Sequence, residues 1–274
     1  MKAFTAYFLD GYRMPGRVAW FKRSLYLLLI IQCVYYLQNY QLLFGRESII
    51  YLSPSDIGWI RNIPFILYNS EGEKTAYWYI GVVMTIAIFN LVFPRVYFLT
   101  DFAAWLLVLN LHNRVYPTLS GGDYLLNQLL LFNCFLAGHA FKPWLIKLFH
   151  NLGIVAVMAQ VIMVYLVSSV AKLSDPLWRS GEAIALIGQL EHFSWRPVVA
   201  MPFIASFFAP LAWGVMIYQL LFPVALMVKK FKKPFLVAGI LMHLYIILAM
   251  GLVTFGTIML ICYLFFWPVK DQQE

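Results

Sequence analysis

The chain has 274 residues, 62% of them hydrophobic and only 12% charged. A soluble domain of this length needs about 25% charged residues to cover its surface, so the composition excludes a soluble globular fold and continuous apolar runs of roughly 20 residues read as membrane spans. The net charge of +8 fits a positive-inside bias and contact with anionic lipid, with no nucleic-acid partner expected.

In chain order, residues 1–23 mix Phe4, Tyr7, Phe8, Trp20 and Phe21 with Lys2, Arg13, Arg17, Lys22 and Arg23. That composition predicts an amphipathic segment in the membrane interface. A first span follows over Ser24–Phe44, with Gln32, Gln38, Asn39 and Gln41 expected to face the bundle or the far surface. Residues 45–76 are broken by Gly45, Pro54, Gly58, Pro64 and Gly72, and GWIRNIPFILYN suggests a short helix lying on the membrane. Further spans are predicted over Tyr77–Phe93, Val96–Leu111, Asp123–Phe141 and Leu148–Ala171. The loop 172–197 contains a short helix, GEAIALIGQL, and a long helix then runs from Val198 to the lysine cluster Lys229–Lys233. The last apolar run, Pro234–Trp267, is divided by Gly251 and Gly256 or crosses once with strong tilt.

The chain is therefore expected to be an all-α polytopic transmembrane bundle of about seven or eight spans. It would form a single helical domain over 24–267, with a polar tail at 268–274. The loops holding Arg95, Lys142 with Lys147, and Lys229–Lys233 fall on one side if the N-terminus is cytoplasmic, as the positive-inside rule requires. The stretches HNRVYPTLSGGD and AKLSDPLWRSGE then fall on the opposite face.

Several polar residues carry two readings. Lys172, at the end of an apolar run, is either an interfacial anchor whose stem lies on apolar surface or a desolvated, reactive amine. Asp123, after Gly121 and Gly122, is a helix cap, a carboxylate facing the Lys172 site, or both. Asn113 and Arg114 are a solvated turn contacting headgroups or part of the same pocket. His243, inside the last apolar run, is a cross-helix hydrogen-bonding group or a functional one. Cys33, Cys134 and Cys262 lie in apolar runs without CxxC spacing, and no HxxxH or HExxH pair occurs, so no metal site is expected.

Four stretches, in this order, resemble the HTTM superfamily, the membrane domain shared with vitamin K-dependent gamma-carboxylases. They are LLFGRESIIYLSPSDIGW, NRVYPTLSGGDYLLNQLLLF, AKLSDPLWRSGEAI and MHLYIILAMGLVTF. The resemblance is to the compact microbial members, and it spans nearly the whole chain. It implies a quinol-oxidising or epoxidising membrane enzyme, with carboxylation as a coupled step. Lys172 matches the family's base, followed by Leu173 and, at slightly wider spacing, Trp178. The implied cofactor is a reduced quinone of the vitamin K or menaquinone type. The implied partners are membrane lipids and a membrane, periplasmic or lumenal protein or peptide substrate. Lys172 would act as base, with Asn113, Arg114, Asp123, Trp178 and His243 lining the pocket. The expected location is a bacterial cytoplasmic (inner) membrane, with the active face non-cytoplasmic. The competing expectation is a non-enzymatic membrane subunit that holds lipid or anchors partner proteins; a transporter is disfavoured by the lack of repeated halves.

Overall fold

A computed structural model describes residues 8–9, 11–45, 48, 50, 73–94, 98–137, 143–189 and 207–268. Among these residues all regular structure is helical, in eleven α-helices and two short 3-10 turns. The helices are α1 Pro15–Gln38, α2 Tyr40–Phe44, α3 Glu73–Val92, α4 Phe98–Arg114, α5 Gly121–Asn133 and α6 Trp144–Ser174. There follow α7 Pro176–Ser180, α8 Glu182–Gln189, α9 Phe208–Met227, α10 Lys229–Leu248 and α11 Val253–Cys262. Four of them, α1, α6, α9 and α10, are long and apolar enough to cross a membrane; Ala76–Val92 and Val253–Phe265 are shorter apolar helices. The chain groups into two compact units, 1–154 and 155–274.

In the first unit, α1 is the central helix. Its positions 18, 22, 25, 29, 32 and 36 recur at intervals of four and three and are buried, and so are Phe21, Tyr26, Leu28 and Cys33 beside them. A helix buried beyond one stripe must have neighbours on more than one side. It packs along α3 and touches α5. The partner stripe on α3 is Ala76, Ile80, Val83, Ala87 and Asn90, again at intervals of four and three. The opposite face of α3 leaves Trp78, Val82, Phe89 and Val92 exposed, as a lipid-facing surface would.

The boundaries differ from the expected ones in several places. α1 begins at Pro15 and not near Ser24, because proline suits the first helical turn. Residues 15–23 therefore belong to the long helix, with Phe21 and Lys22 fully buried. Asn151 on α6 ties down the chain before them: its side chain accepts from the Arg13 amide at 3.1 Å and donates to the carbonyls of Phe8 at 2.9 Å and Gly11 at 2.8 Å. Residues 112–114 form the last turn of α4 and not a loop. α5 ends at Asn133, short of the expected Phe141. The lysine cluster does not end a helix; the chain breaks at Val228, and Lys229–Lys233 open α10. The last apolar run divides into α10 and α11 at Gly251, which takes the left-handed φ of 67° that glycine adopts without penalty. The short helix expected after Gly181 is present as α8. The expected helix in GWIRNIPFILYN, the surroundings of Pro202, Arg95 and Lys142, and the tail 269–274 lie outside the described residues.

A buried ion pair joins three helices of the first unit. Lys22 Nζ on α1 lies 2.5 Å from Asp101 Oδ2 on α4 and donates to the Leu136 carbonyl at 3.2 Å. Asp101 Oδ1 accepts from the Tyr26 hydroxyl and, at 3.0 Å, from Asn133 Nδ2 on α5. Both charges are almost fully enclosed. Removing one member strands the other, so Asp101→Ala should lower stability by about 3–5 kcal/mol. Lys22→Met combined with Asp101→Leu should recover most of that loss, read as the midpoint of denaturation in detergent micelles.

Candidate functional site

The stretch around Lys172 takes its shape from local chemistry. α6 continues through Lys172 to Ser174. Asp175 then caps α7, accepting from the Leu177 amide at 2.8 Å, with Pro176 at the first helical position. Gly181 ends α7 at φ 86°, and a Cβ there would come within 2.5 Å of the Ala209 backbone at the start of α9. Glycine is thus required twice, for the backbone angle and for the close approach. The break at Asp175 between α6 and α7 brings Trp178 back over the end of α6.

Lys172 Nζ lies 4.9 Å from the centre of the Trp178 ring, within cation–π range. The amine donates to Ser168 Oγ one turn earlier and lies 3.4 Å from Gln219 Oε1 on α9. Lys172 is half-buried, whereas Gln219 is buried. Among the described residues no carboxylate lies at ion-pair distance from it. α9 runs antiparallel to α6: Tyr165 packs on Phe222, with ring centres 4.5 Å apart, and Ser169 Oγ donates to the Met216 carbonyl at 2.9 Å. Beyond the end of α6, Trp213 Nε1 donates to the Arg179 carbonyl at 3.1 Å. The Lys172 backbone therefore faces the first half of α9 while its amine reaches back to Gln219 near the middle of that helix, and the lysine cluster follows the opposite end.

The other expected site residues divide between the units. Asp123 belongs to the first unit and is not the cap itself. Ser120 is the cap, its hydroxyl accepting from the Gly122 amide, and Asp123 at the third helical position closes a capping box. Asp123 Oδ2 accepts from the Ser120 amide at 2.7 Å and the Ser120 hydroxyl at 2.8 Å, while Oδ1 accepts from Gln32 Nε2 at 2.7 Å. Gln32 Oε1 meets His112 Nε2 at 3.2 Å. His112 lies beyond the apolar run that ends at Leu111. Burial pushes its pKa down and the Asp123 carboxylate pulls partly against that, so the neutral ring donates from Nε2 to Gln32. Asn113 and Arg114 are half-buried in the last turn of α4, and the Arg114 guanidinium lies 5.8 Å from the Phe44 ring centre. His243, in the second unit, is buried and meets the Tyr165 hydroxyl at 2.7 Å through Nε2. Tyr165 and Lys172 stand seven residues apart on α6, about 10 Å at 1.5 Å per residue.

Sequence reasoning missed the Lys22–Asp101 group and the tyrosines 165, 218 and 263. Asp101 was signalled, as a carboxylate inside the apolar run VYFLTDFAAWLL. The tyrosines were not, being three of 17 spread along the chain. Comparison with protein-family models, with curated proteins and with solved structures finds no match for this chain.

Asp123→Ala removes the acceptor of three hydrogen bonds and leaves Gln32 Nε2 without its acceptor. It should lower stability by about 1–3 kcal/mol. Asp123→Asn, which keeps one acceptor oxygen, should lose less in the same denaturation measurement.

Proposed function

We propose that this chain is an integral membrane protein in which Lys172 is the base of a quinol-oxidising site, as the resemblance to gamma-carboxylases implies. The observation that carries this reading is the contrast between the two lysines. Lys22 is held by a carboxylate and a carbonyl and is committed to the fold. Among the described residues Lys172 has only neutral partners, Ser168, Gln219 and the Trp178 ring. A carboxylate would hold the ammonium in its charged form; neutral acceptors leave the amine able to exchange its proton. The Trp178 face stabilises the ammonium formed once the amine has taken a proton.

These residues suit a reduced quinone. Trp178 offers an aromatic surface, Gln219 and Ser168 offer groups that hydrogen-bond a hydroxyl, and Lys172 offers the base. When bound, the quinol supplies the reducing equivalents and dioxygen is the oxidant. Orientation follows from charge: lysines at the start of α10 favour the cytoplasmic side. With α6 and α9 antiparallel, this charge pattern supports the C-terminal end of α6 on the non-cytoplasmic face, and the resemblance implies a bacterial inner membrane.

A second reading is a non-enzymatic subunit that binds lipid or anchors a partner protein. The broad apolar exposure of α10, with Leu241 62% and Leu248 68% exposed, favours it.

The test is oxidation of reduced menaquinone or vitamin K by the purified protein in lipid. Lys172→Ala should lower epoxide formation by at least about a hundredfold, the usual scale of a lost general base, with the denaturation midpoint preserved. Wild-type turnover no faster than a protein-free control, across several quinols, would favour the second reading.

A further inference from the structure

The second unit contains a file of four hydrogen-bonded side chains apart from the Lys172 group. His243 Nε2 meets the Tyr165 hydroxyl at 2.7 Å, and Tyr165 bonds the Tyr263 hydroxyl. Tyr263 meets the Tyr218 hydroxyl at 3.0 Å, and Tyr218 donates to the Phe235 carbonyl at 3.0 Å. His243, Tyr165 and Tyr263 are buried; Tyr218 and Phe235 are half-buried. The file thus runs from a half-exposed end, near the lysines of α10, to a buried histidine. Phe235 and His243 are eight residues apart, about 12 Å along the helix.

The protons in this file have one arrangement that satisfies every bond. A phenol has one proton to give and a carbonyl can only accept. Tyr218 gives its proton to Phe235, so its oxygen accepts from Tyr263. Tyr263 then accepts from Tyr165, and Tyr165 accepts from the Nε2–H of His243. His243 is therefore the Nε2–H tautomer. Its Nδ1 lone pair is left without a partner in a residue that is 1% exposed.

The packing is built to admit this file. A Cβ at Gly239 would stand 2.0 Å from the Tyr263 oxygen and 2.2 Å from the Tyr218 oxygen. The two hydroxyls meet because α10 has no side chain there.

We propose that His243, Tyr165, Tyr263 and Tyr218 form a proton path, entered at His243 Nδ1 and left at Tyr218. A proton taken at Nδ1 releases the Nε2 proton to Tyr165. Each hydroxyl passes on its own proton and receives the next, and Tyr218 releases one to water. One proton enters, one leaves, and every side chain ends neutral. On the quinol reading, on which this assignment of the donor rests, the path drains protons freed by the reaction toward the lysine-rich face.

The test needs no turnover. Hydrogen–deuterium exchange at the His243 Nε2–H is followed by nitrogen-15 NMR of the full chain in lipid nanodiscs, with the resonance assigned by its loss in His243→Gln. Tyr263→Phe keeps the ring and breaks the file, and should slow exchange about tenfold, the scale of one lost hydrogen bond in the transfer barrier. Tyr218→Phe provides the same break in a second, half-buried position and should slow exchange likewise. Equal rates in wild type and both variants, or a wild-type Nδ1–H tautomer, would overturn the path. Failure of Lys172-dependent quinol oxidation with the slowed exchange intact would remove only the quinol donor and leave the path standing.

Discussion

A carboxylate drawn into an apolar helix loses several kcal/mol of hydration unless its charge is matched and its oxygens are bonded. In this chain that demand falls on Asp101, and much of the first unit is arranged to meet it. The lysine comes from α1, as does the Tyr26 hydroxyl, and the amide comes from Asn133 on α5. The three helices are fixed in register because each supplies a partner that the others cannot replace. Lipid would supply none, since the hydrocarbon region offers no hydrogen-bond partners. Six residues beyond Tyr26 on α1, Gln32 repeats the device on a smaller scale by linking His112 to Asp123.

Lys172 belongs to a different kind of environment. Ser168 and Gln219 can accept from the amine whether or not it carries a charge, and Trp178 contacts it without neutralising it. Two lysines of one chain thus stand in different electrostatic settings: Lys22 is paired with a carboxylate, whereas the partners of Lys172 among the described residues are neutral. The positioning depends on the break at Asp175, which turns α7 so that Trp178 returns over the end of α6, and on Gly181, whose missing Cβ admits α9.

The helical class was legible because the apolar runs are continuous, where a membrane barrel would alternate apolar and polar residues. Individual boundaries were less legible. The lysines at 229–233 obey the positive-inside rule equally well at the end of one helix or the start of the next, so charge alone could not locate the break at Val228. Lys22 read as interfacial because it sits among other basic residues; only the partner on α4 turns it into a core residue. Asp123 was expected to cap a helix, and it does contribute to the cap, but from the third position, because Ser120 offers its hydroxyl one turn earlier. A place for Trp178 beside Lys172 was implied by the family resemblance, whereas Gln219 arrives from a distant helix and carried no local signal.

The hydrogen-bonded tyrosines show why such partners escape a sequence reading. Each sits in an apolar run where a phenylalanine would satisfy the same periodicity, and only the hydroxyl distinguishes them. A hydroxyl in that setting is unfavourable unless it is paired, so each one requires the next, until the file ends at a carbonyl. The histidine is the member that breaks this economy of pairing, because closing the file through Nε2 necessarily leaves Nδ1 open. Glycine at 239 then makes the crossing tight enough for two phenol oxygens to meet. A purely structural packing would be served by phenylalanine and alanine at these positions; here the polar groups occur together with the small residue that lets them touch, and that combination is what a path for protons requires.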